Sequence, residues 1–143
     1  MRKTLIDAGP MIALFDKSDR YHKHVMKFLK DFDGELVTTW PVVTEVSHML
    51  DFNIKVQIDF LKWLDIGAVN IYQTLQSDIK RIIVLSEKYI DVPMDLADSS
   101  LIVASEKLGI KDILTIDSDY DIYRTIKKEP LNNLLTIIPK IKK

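Results

Sequence analysis

Short apolar segments rich in strand-forming residues alternate along this chain with longer segments of helical periodicity. Strands are predicted at Lys3–Ile6, Glu35–Thr38, Ala68–Tyr72, Ile113–Ile116 and Leu134–Ile138. Helical patterns fill the intervals between these strands, which is the signature of βαβ units. The alternation therefore predicts an α/β fold built on a central, mostly parallel five-stranded sheet.

Local start and stop signals place the helices between these strands. Six helices are predicted, beginning near Pro10, Ser18, Thr39, Lys55, Leu75 and Asp95. Proline is well tolerated in the first turn of a helix, and Ser18 is a suitable N-cap residue. Gly109 is expected to end the last helix at Leu108, because glycine accepts the left-handed conformation that closes many helices.

Length and composition indicate one globular domain. The 143 residues predict a single domain over 1–139, followed by a basic tail at 140–143. The absence of cysteine excludes a disulfide framework, thiolate zinc ligands and a cysteine nucleophile. The longest uncharged run has 12 residues, whereas a membrane span needs about 20 apolar residues. A cytoplasmic protein with no membrane contact is expected.

Acidic residues fall where predicted strands end and the next helices begin. Asp7 follows the first strand, Asp117 follows the fourth, and Glu45 lies early in the helix after the second strand. Because the carboxyl ends of parallel strands share one edge with the following helices, these acids are expected to meet there. Asp95 and Asp98, three residues apart, share one face at the start of another helix.

Carboxylates crowded at one edge repel each other, and a hard divalent cation removes that conflict. Ligand sets made only of oxygen favour Mg²⁺ or Mn²⁺, and such a site is suited to metal-assisted hydrolysis of phosphodiesters. Each of three acids also has a structural interpretation. Asp95 is a candidate N-cap, Asp98 is an acid in the first turn that the helix dipole stabilises, and Asp7 is a candidate turn residue. The hypothesis depends on their conjunction.

Four segments carry these acids in order along the chain. They read KTLIDAGPMIALFD, LVTTWPVVTEVSHML, MDLADSSLIVASEKLG and ILTIDSDYDIYR. In this order they resemble the four acidic motifs of PIN-domain proteins, most closely those of VapC-type toxins. The resemblance extends from Lys3 to about Arg124. It implies a three-layer α/β/α fold and cleavage of RNA that depends on Mg²⁺ or Mn²⁺.

The resemblance also implies roles for individual residues. The four motifs give, in order, catalytic metal ligands at Asp7, Glu45, Asp98 and Asp117. Asp95 and Asp119 are expected to be peripheral to this site. The chain has no marked basic cluster, so the RNA-facing surface is not defined by sequence. Candidate phosphate contacts, for which solvated surface charge is the other interpretation, are Lys17, Arg20, Lys23 and Arg124.

Two functional hypotheses follow from the resemblance. The first is an endoribonuclease that forms a homodimer and acts as the toxin of a toxin–antitoxin pair, with an antitoxin protein as its partner. The alternative is a catalytically silent PIN-fold module that binds RNA or protein. Apolar residues on the early helices, Met11, Phe28 and Phe60, are candidates for the interfaces or for the core. Trp40 and Trp63 are expected in the core or an interface.

A competing metal motif is excluded. Asp117, Asp119 and Asp121 have the spacing of the first three ligands of an EF-hand loop. Ile122 stands where that loop needs glycine, and Lys128 stands where it needs a bidentate glutamate. The run is therefore assigned to the fourth acidic motif.

Overall fold

The computed structural model describes residues 2–135, and every element below lies within that range. Its strands are β1 (Lys3–Ile6), β2 (Glu35–Thr39), β3 (Val69–Tyr72), β4 (Asp112–Leu114) and β5 (Asn132–Asn133). Its α-helices are α1 (Ala8–Phe15), α2 (His22–Asp31), α3 (Trp40–Met49), α4 (Ile54–Asp65), α5 (Ile79–Lys88) and α6 (Leu96–Leu108). Short 3₁₀ helices cover Gln76–Asp78 and Ser118–Asp121.

The strands form one sheet in the order β3-β2-β1-β4-β5, and every neighbouring pair is parallel. The prediction of a mostly parallel five-stranded sheet is confirmed. Helix α1 packs against α2, α3 and α4, helix α5 packs against α6, and α3 also contacts α6. Because crossovers between parallel strands are right-handed, reversing the direction of travel after β3 places the later helices on the opposite face. The result is a three-layer α/β/α fold.

The position of the functional edge follows from this strand order. Strands β1 and β4 are neighbours, and Ile6 is in register with Leu114. The chain leaves β1 toward β2 and leaves β4 toward β5, so it departs from these two strands in opposite directions. In parallel α/β sheets such a switch point opens a crevice at the carboxyl ends of the strands. Asp7 and Thr115 are the first residues beyond these paired ends.

Helix α6 is buried on every side between residues 97 and 105. A helix buried all round requires small side chains where neighbours approach closely, and this stretch supplies two alanines and three serines. The serine hydroxyls are satisfied: Ser100 donates to the Ala97 carbonyl at 2.7 Å and lies 2.6 Å from the Thr39 hydroxyl. This contact fixes the start of α6 against the end of β2.

The predicted boundaries of the last two strands were wrong. The fourth strand ends at Leu114 rather than Ile116, and β5 lies at Asn132–Asn133 rather than Leu134–Ile138. The Asn133 side chain is the cause, because its Oδ1 accepts hydrogen bonds from the amides of Thr115 and Leu135. A side-chain amide thereby replaces the backbone ladder. Residues 136–138 of that prediction, and the predicted limits of the domain and tail, lie outside the described residues.

Two helix starts also differ from the prediction. Helix α2 begins at His22 rather than Ser18, because Asp16 accepts from the amide and hydroxyl of Ser18 and holds that residue in a turn. The long helix predicted from Leu75 is divided into the 3₁₀ turn and α5. Within residues 2–135, the structure contains no helix long and apolar enough to cross a bilayer.

Gly109 ends α6 in the left-handed conformation, with φ of 69°, as the sequence predicts. A Cβ atom at this position would meet no heavy atom within 4 Å, so a substitution changes backbone strain without a clash. We expect Gly109→Ala to lower the free energy of unfolding by about 1 kcal/mol. Gly109→Asn should cost less, because asparagine tolerates this conformation. Urea denaturation tests the order, and equal stability of all three proteins would contradict it.

Candidate active site

Three carboxylates from different parts of the chain meet at the switch point. Asp7, Asp98 and Asp117 each contribute one oxygen to a group whose members lie within 4.8 Å of one another. Asp7 is the N-cap of α1, Asp98 lies in the first turn of α6, and Asp117 caps the 3₁₀ helix after β4. All three are almost entirely buried. We call this group the acidic trio.

Glu45 lies on the wall of the same cleft. It is exposed on α3 and lines, with the acidic trio, a cleft of about 300 Å³. Its charge contributes to the raised pKa of Asp7, although it is not a member of the 4.8 Å group. The lining of the cleft also includes the apolar or aromatic residues Ile12, Tyr21 and Met49. The site thus combines three buried carboxylates with a cleft lining of both charged and apolar side chains.

Thr115 connects two members of the acidic trio. Its hydroxyl donates to Asp7 Oδ2 at 2.9 Å and accepts from the Asp117 amide at 3.0 Å. Asp7 Oδ1 accepts in addition from the Ala8 amide at 2.8 Å. Sequence reasoning treated Thr115 as part of a strand and missed this role. The available signal was a hydroxyl residue two positions before the acid of the fourth motif.

Burial is the main electrostatic influence on Asp7. Loss of solvation raises its pKa to about 6, and the charges of Asp117 and Glu45 act in the same direction. The hydrogen bonds from Ala8 and Thr115 oppose this rise by stabilising the carboxylate. Burial and the like charges therefore outweigh these two hydrogen bonds in setting the pKa of Asp7.

Asp98 is held from two directions. Its amide donates to the Asp95 side chain at 2.8 Å, and its Oδ1 accepts from the Tyr120 hydroxyl at 3.1 Å. Burial, with the neighbouring carboxylates, raises the pKa of Tyr120 well above its usual value. The phenol therefore remains a donor at neutral pH. Sequence reasoning did not connect Tyr120 with Asp98.

Comparison with known proteins finds a sequence relative and a structural neighbour of this chain. No protein-family model matches the chain. Ribonuclease VapC26 of Mycobacterium tuberculosis is 24% identical over 115 residues, which span 79% of this chain and 85% of that protein. The crystal structure of VapC20 from the same organism, a toxin that cleaves the sarcin-ricin loop, superposes with a TM-score of 0.75 at 12% identity. It covers 83% of this chain and 93% of that one.

This chain is a PIN-fold protein similar to the VapC toxins. The family resemblance expected from the four motifs is confirmed, and so is the α/β architecture that it implied.

The two other acids of the VapC-like motifs lie beside the trio. Asp95 is exposed and is the N-cap of α6, so its structural interpretation is confirmed. Asp119 is half-buried, and its amide donates to Asp117 Oδ1 at 2.9 Å. The first of these acids therefore orients the helix that carries Asp98, and the backbone of the second orients Asp117.

The candidate phosphate contacts of the VapC-like chain differ in their surroundings. Lys17, Arg20 and Lys23 are exposed around the start of α2, and the Arg20 guanidinium lies 5.2 Å from the ring centre of Tyr21, which lines the cleft. Arg124 is half-buried and donates to the carbonyls of Asp121 and Tyr123. The first three are thus more available to a ligand than Arg124.

The apolar residues named as interface candidates mostly belong to the core. Met11 and Phe60 are completely buried, so of the two interpretations given for them the core is the correct one. Phe28 and Trp63 are partly buried and pack against the core. Trp40 is 49% exposed beside the cleft and remains available to a partner.

The raised pKa of Asp7 predicts a pH dependence in metal-free solution. The folded protein binds this proton more tightly than the unfolded chain, whose carboxyl has a pKa of 3.8. Protonation of Asp7 therefore stabilises the folded protein. This stabilisation is fully present below about pH 4 and is lost as the pH rises through about 6. Asp7→Asn removes the buried charge. In EDTA at pH 7 it should be more stable than wild type by on the order of 2–3 kcal/mol.

Urea denaturation at a series of pH values measures this difference, which should disappear near pH 4. Asp95→Asn is the matched control, because Asp95 is exposed and asparagine is an equally good N-cap. It should show no such gain. A less stable Asp7→Asn protein at pH 7 would contradict the prediction.

Proposed function

We propose that this protein is a divalent-metal-dependent endoribonuclease of VapC type. The observation that carries the proposal is the acidic trio, in which three buried carboxylates from three elements bring oxygens within 4.8 Å of one another. Asp7, Asp98 and Asp117 hold Mg²⁺ or Mn²⁺, and Glu45 supplies a fourth carboxylate from the exposed wall of the cleft. RNA is the substrate, on the basis of the similarity to a ribonuclease and to a toxin that cleaves the sarcin-ricin loop.

The chemistry of the donor set fits such a cation. Its ligand atoms are carboxylate oxygens, which Mg²⁺ and Mn²⁺ prefer, and the described residues offer no histidine or cysteine within the group. The raised pKa of Asp7 also fits, because a buried cation at the trio offsets the charge that burial penalises. A divalent cation held by Asp7, Asp98 and Asp117 would supply the positive charge that polarises a scissile phosphate and favours hydroxide for in-line attack.

The protein's own residues supply orientation. Thr115 fixes Asp7 relative to Asp117, and the N-cap Asp95 fixes the first turn of α6 that carries Asp98. Glu45 lies where an incoming phosphodiester enters the cleft, because it is exposed whereas the trio is buried. Arg20, Lys17 and Lys23, on the side of Tyr21, contact phosphates of the bound strand.

Removal of one ligand tests this function. Asp98→Asn should slow cleavage of a mixed structured RNA by at least about 100-fold in Mg²⁺ or Mn²⁺, and EDTA should abolish it. Asp95→Asn is the matched control from the same helical turn and should keep activity within a few-fold of wild type. The measurement is the initial rate of appearance of fragments with 5′-phosphate ends. Equal cleavage by Asp98→Asn and wild type would overturn the site assignment.

Silence of the wild-type protein would have a different meaning. If no RNA is cut, while Mn²⁺ still binds and Asp98→Asn abolishes that binding, the chain is a PIN-fold binding module. If Mn²⁺ does not bind at all, the metal-dependent function is wrong.

We also propose a homodimer and an antitoxin partner. Exposed apolar side chains line a groove of about 800 Å³ beside the cleft, and its lining includes Trp40, Leu75, Ile79 and Leu96. We call this surface the apolar groove. Glu45 belongs to the lining of both the apolar groove and the acidic cleft. A second copy covers part of this groove, and the antitoxin blocks the acidic cleft next to it.

A substitution that places a charge in the apolar groove tests the proposed dimer. Ile79→Glu should convert the protein to a monomer in light scattering after gel filtration, because an unpaired carboxylate in an apolar interface is costly. Ile66→Glu is the matched control, since Ile66 is 79% exposed and lies in a turn away from the groove. A dimer that survives Ile79→Glu, or a wild-type monomer, would exclude this interface.

A further inference from the structure

Tyr120 is a buried residue that touches the acidic trio and has no part in the function proposed above. It is 2% exposed, and its hydroxyl donates to Asp98 Oδ1 at 3.1 Å. The charges of all three members of the trio act on this phenol. A hydroxyl at this depth is costly to bury unless it has a defined partner, and the Asp98 carboxylate is that partner.

The ring of Tyr120 is fixed by two other tyrosines. Its centroid lies 5.3 Å from that of Tyr123, which lies 5.1 Å from that of Tyr89, and both pairs meet edge to face. The Tyr123 hydroxyl donates to the Pro93 carbonyl at 3.0 Å, and the Tyr89 hydroxyl accepts from the Arg124 amide at 2.8 Å. These contacts tie the segment after β4 to the segment before α6. The direction of the Tyr120 hydroxyl is therefore set by rigid packing.

We propose that Tyr120 is a positioning residue, whose hydroxyl holds the Asp98 carboxylate in one orientation toward a divalent cation. This inference rests on the proposed function of the trio. Asp95 fixes only the backbone of Asp98, through its amide, so the side-chain torsions need a second constraint. Thr115 gives the matching constraint to Asp7. Hydrogen bonds behind metal ligands typically change metal affinity by about 10–100-fold when they are removed.

The chain offers a matched pair of variants to test this role. Tyr120→Phe and Tyr123→Phe each remove one buried hydroxyl from the same aromatic cluster and leave both rings in place. The Tyr120 hydroxyl contacts Asp98, whereas the Tyr123 hydroxyl contacts a loop carbonyl. Mn²⁺ binding by isothermal titration calorimetry is the first readout, and thermal unfolding in EDTA reports the structural cost of each change.

We expect Tyr120→Phe to weaken Mn²⁺ binding by about 10-fold or more. Tyr123→Phe should lower the unfolding temperature and leave the Mn²⁺ dissociation constant within about 2-fold of wild type. In RNA cleavage, Tyr120→Phe should raise the Mn²⁺ concentration for half-maximal rate by the same factor as the dissociation constant. Its rate at saturating Mn²⁺ should stay within a few-fold of wild type, because the ligand itself is retained.

Asp98→Asn separates failure of this inference from failure of the proposed function. If Asp98→Asn abolishes Mn²⁺ binding while Tyr120→Phe binds like wild type, Tyr120 is only a packing residue and the metal site stands. If Tyr123→Phe weakens binding as much as Tyr120→Phe, the effect is general loosening and the positioning role is overturned. If Asp98→Asn binds Mn²⁺ normally, both the metal site and this inference are wrong.

Discussion

The negative charge enclosed at the carboxyl ends of β1 and β4 is the constraint on which the rest of this structure depends. Three carboxylates lie closer together there than solvated acids would, and burial raises the pKa of one of them to about 6. A fold tolerates such an arrangement only if its other interactions supply the missing free energy or if a ligand neutralises the charge. Much of the surrounding structure serves the first of these needs.

Each member of the trio accepts a hydrogen bond from a donor in its surroundings. Asp7 accepts from the first amide of a helix, Asp117 from the first turn of a 3₁₀ helix, and Asp98 from a phenol. The dipoles of α1 and α6 point their positive ends at the cleft, which favours anionic groups there. The pairing of β1 with β4 sets the distance between Asp7 and Asp117. The small serines of α6 allow this helix to pack closely enough to bring Asp98 beside them.

Local pattern was enough to predict the first three strands, the edge at which the acids gather and the N-cap role of Asp95. These features depend on side-chain periodicity and on bonds between residues close in sequence. Thr115 and Tyr120 were not predicted, because their roles need partners 108 and 22 residues away. The early end of β4 was not predicted for the same reason, because it depends on a hydrogen bond from the Thr115 amide to the distant Asn133 side chain. Met11 and Phe60 carried no mark that distinguishes a core residue from an interface residue.

Glu45 contributes to two surfaces at once, the acidic cleft and the apolar groove beside it. A molecule seated in the groove therefore changes the electric field and the solvation that a molecule in the cleft experiences. Thermodynamic linkage makes such coupling reciprocal: whatever factor one ligand imposes on the affinity of the other, it receives in return. The affinity for a protein in the groove and the affinity for a polyanion in the cleft would thus be coupled through the Glu45 side chain. The coupling can be negative or positive, and it requires no movement of the backbone.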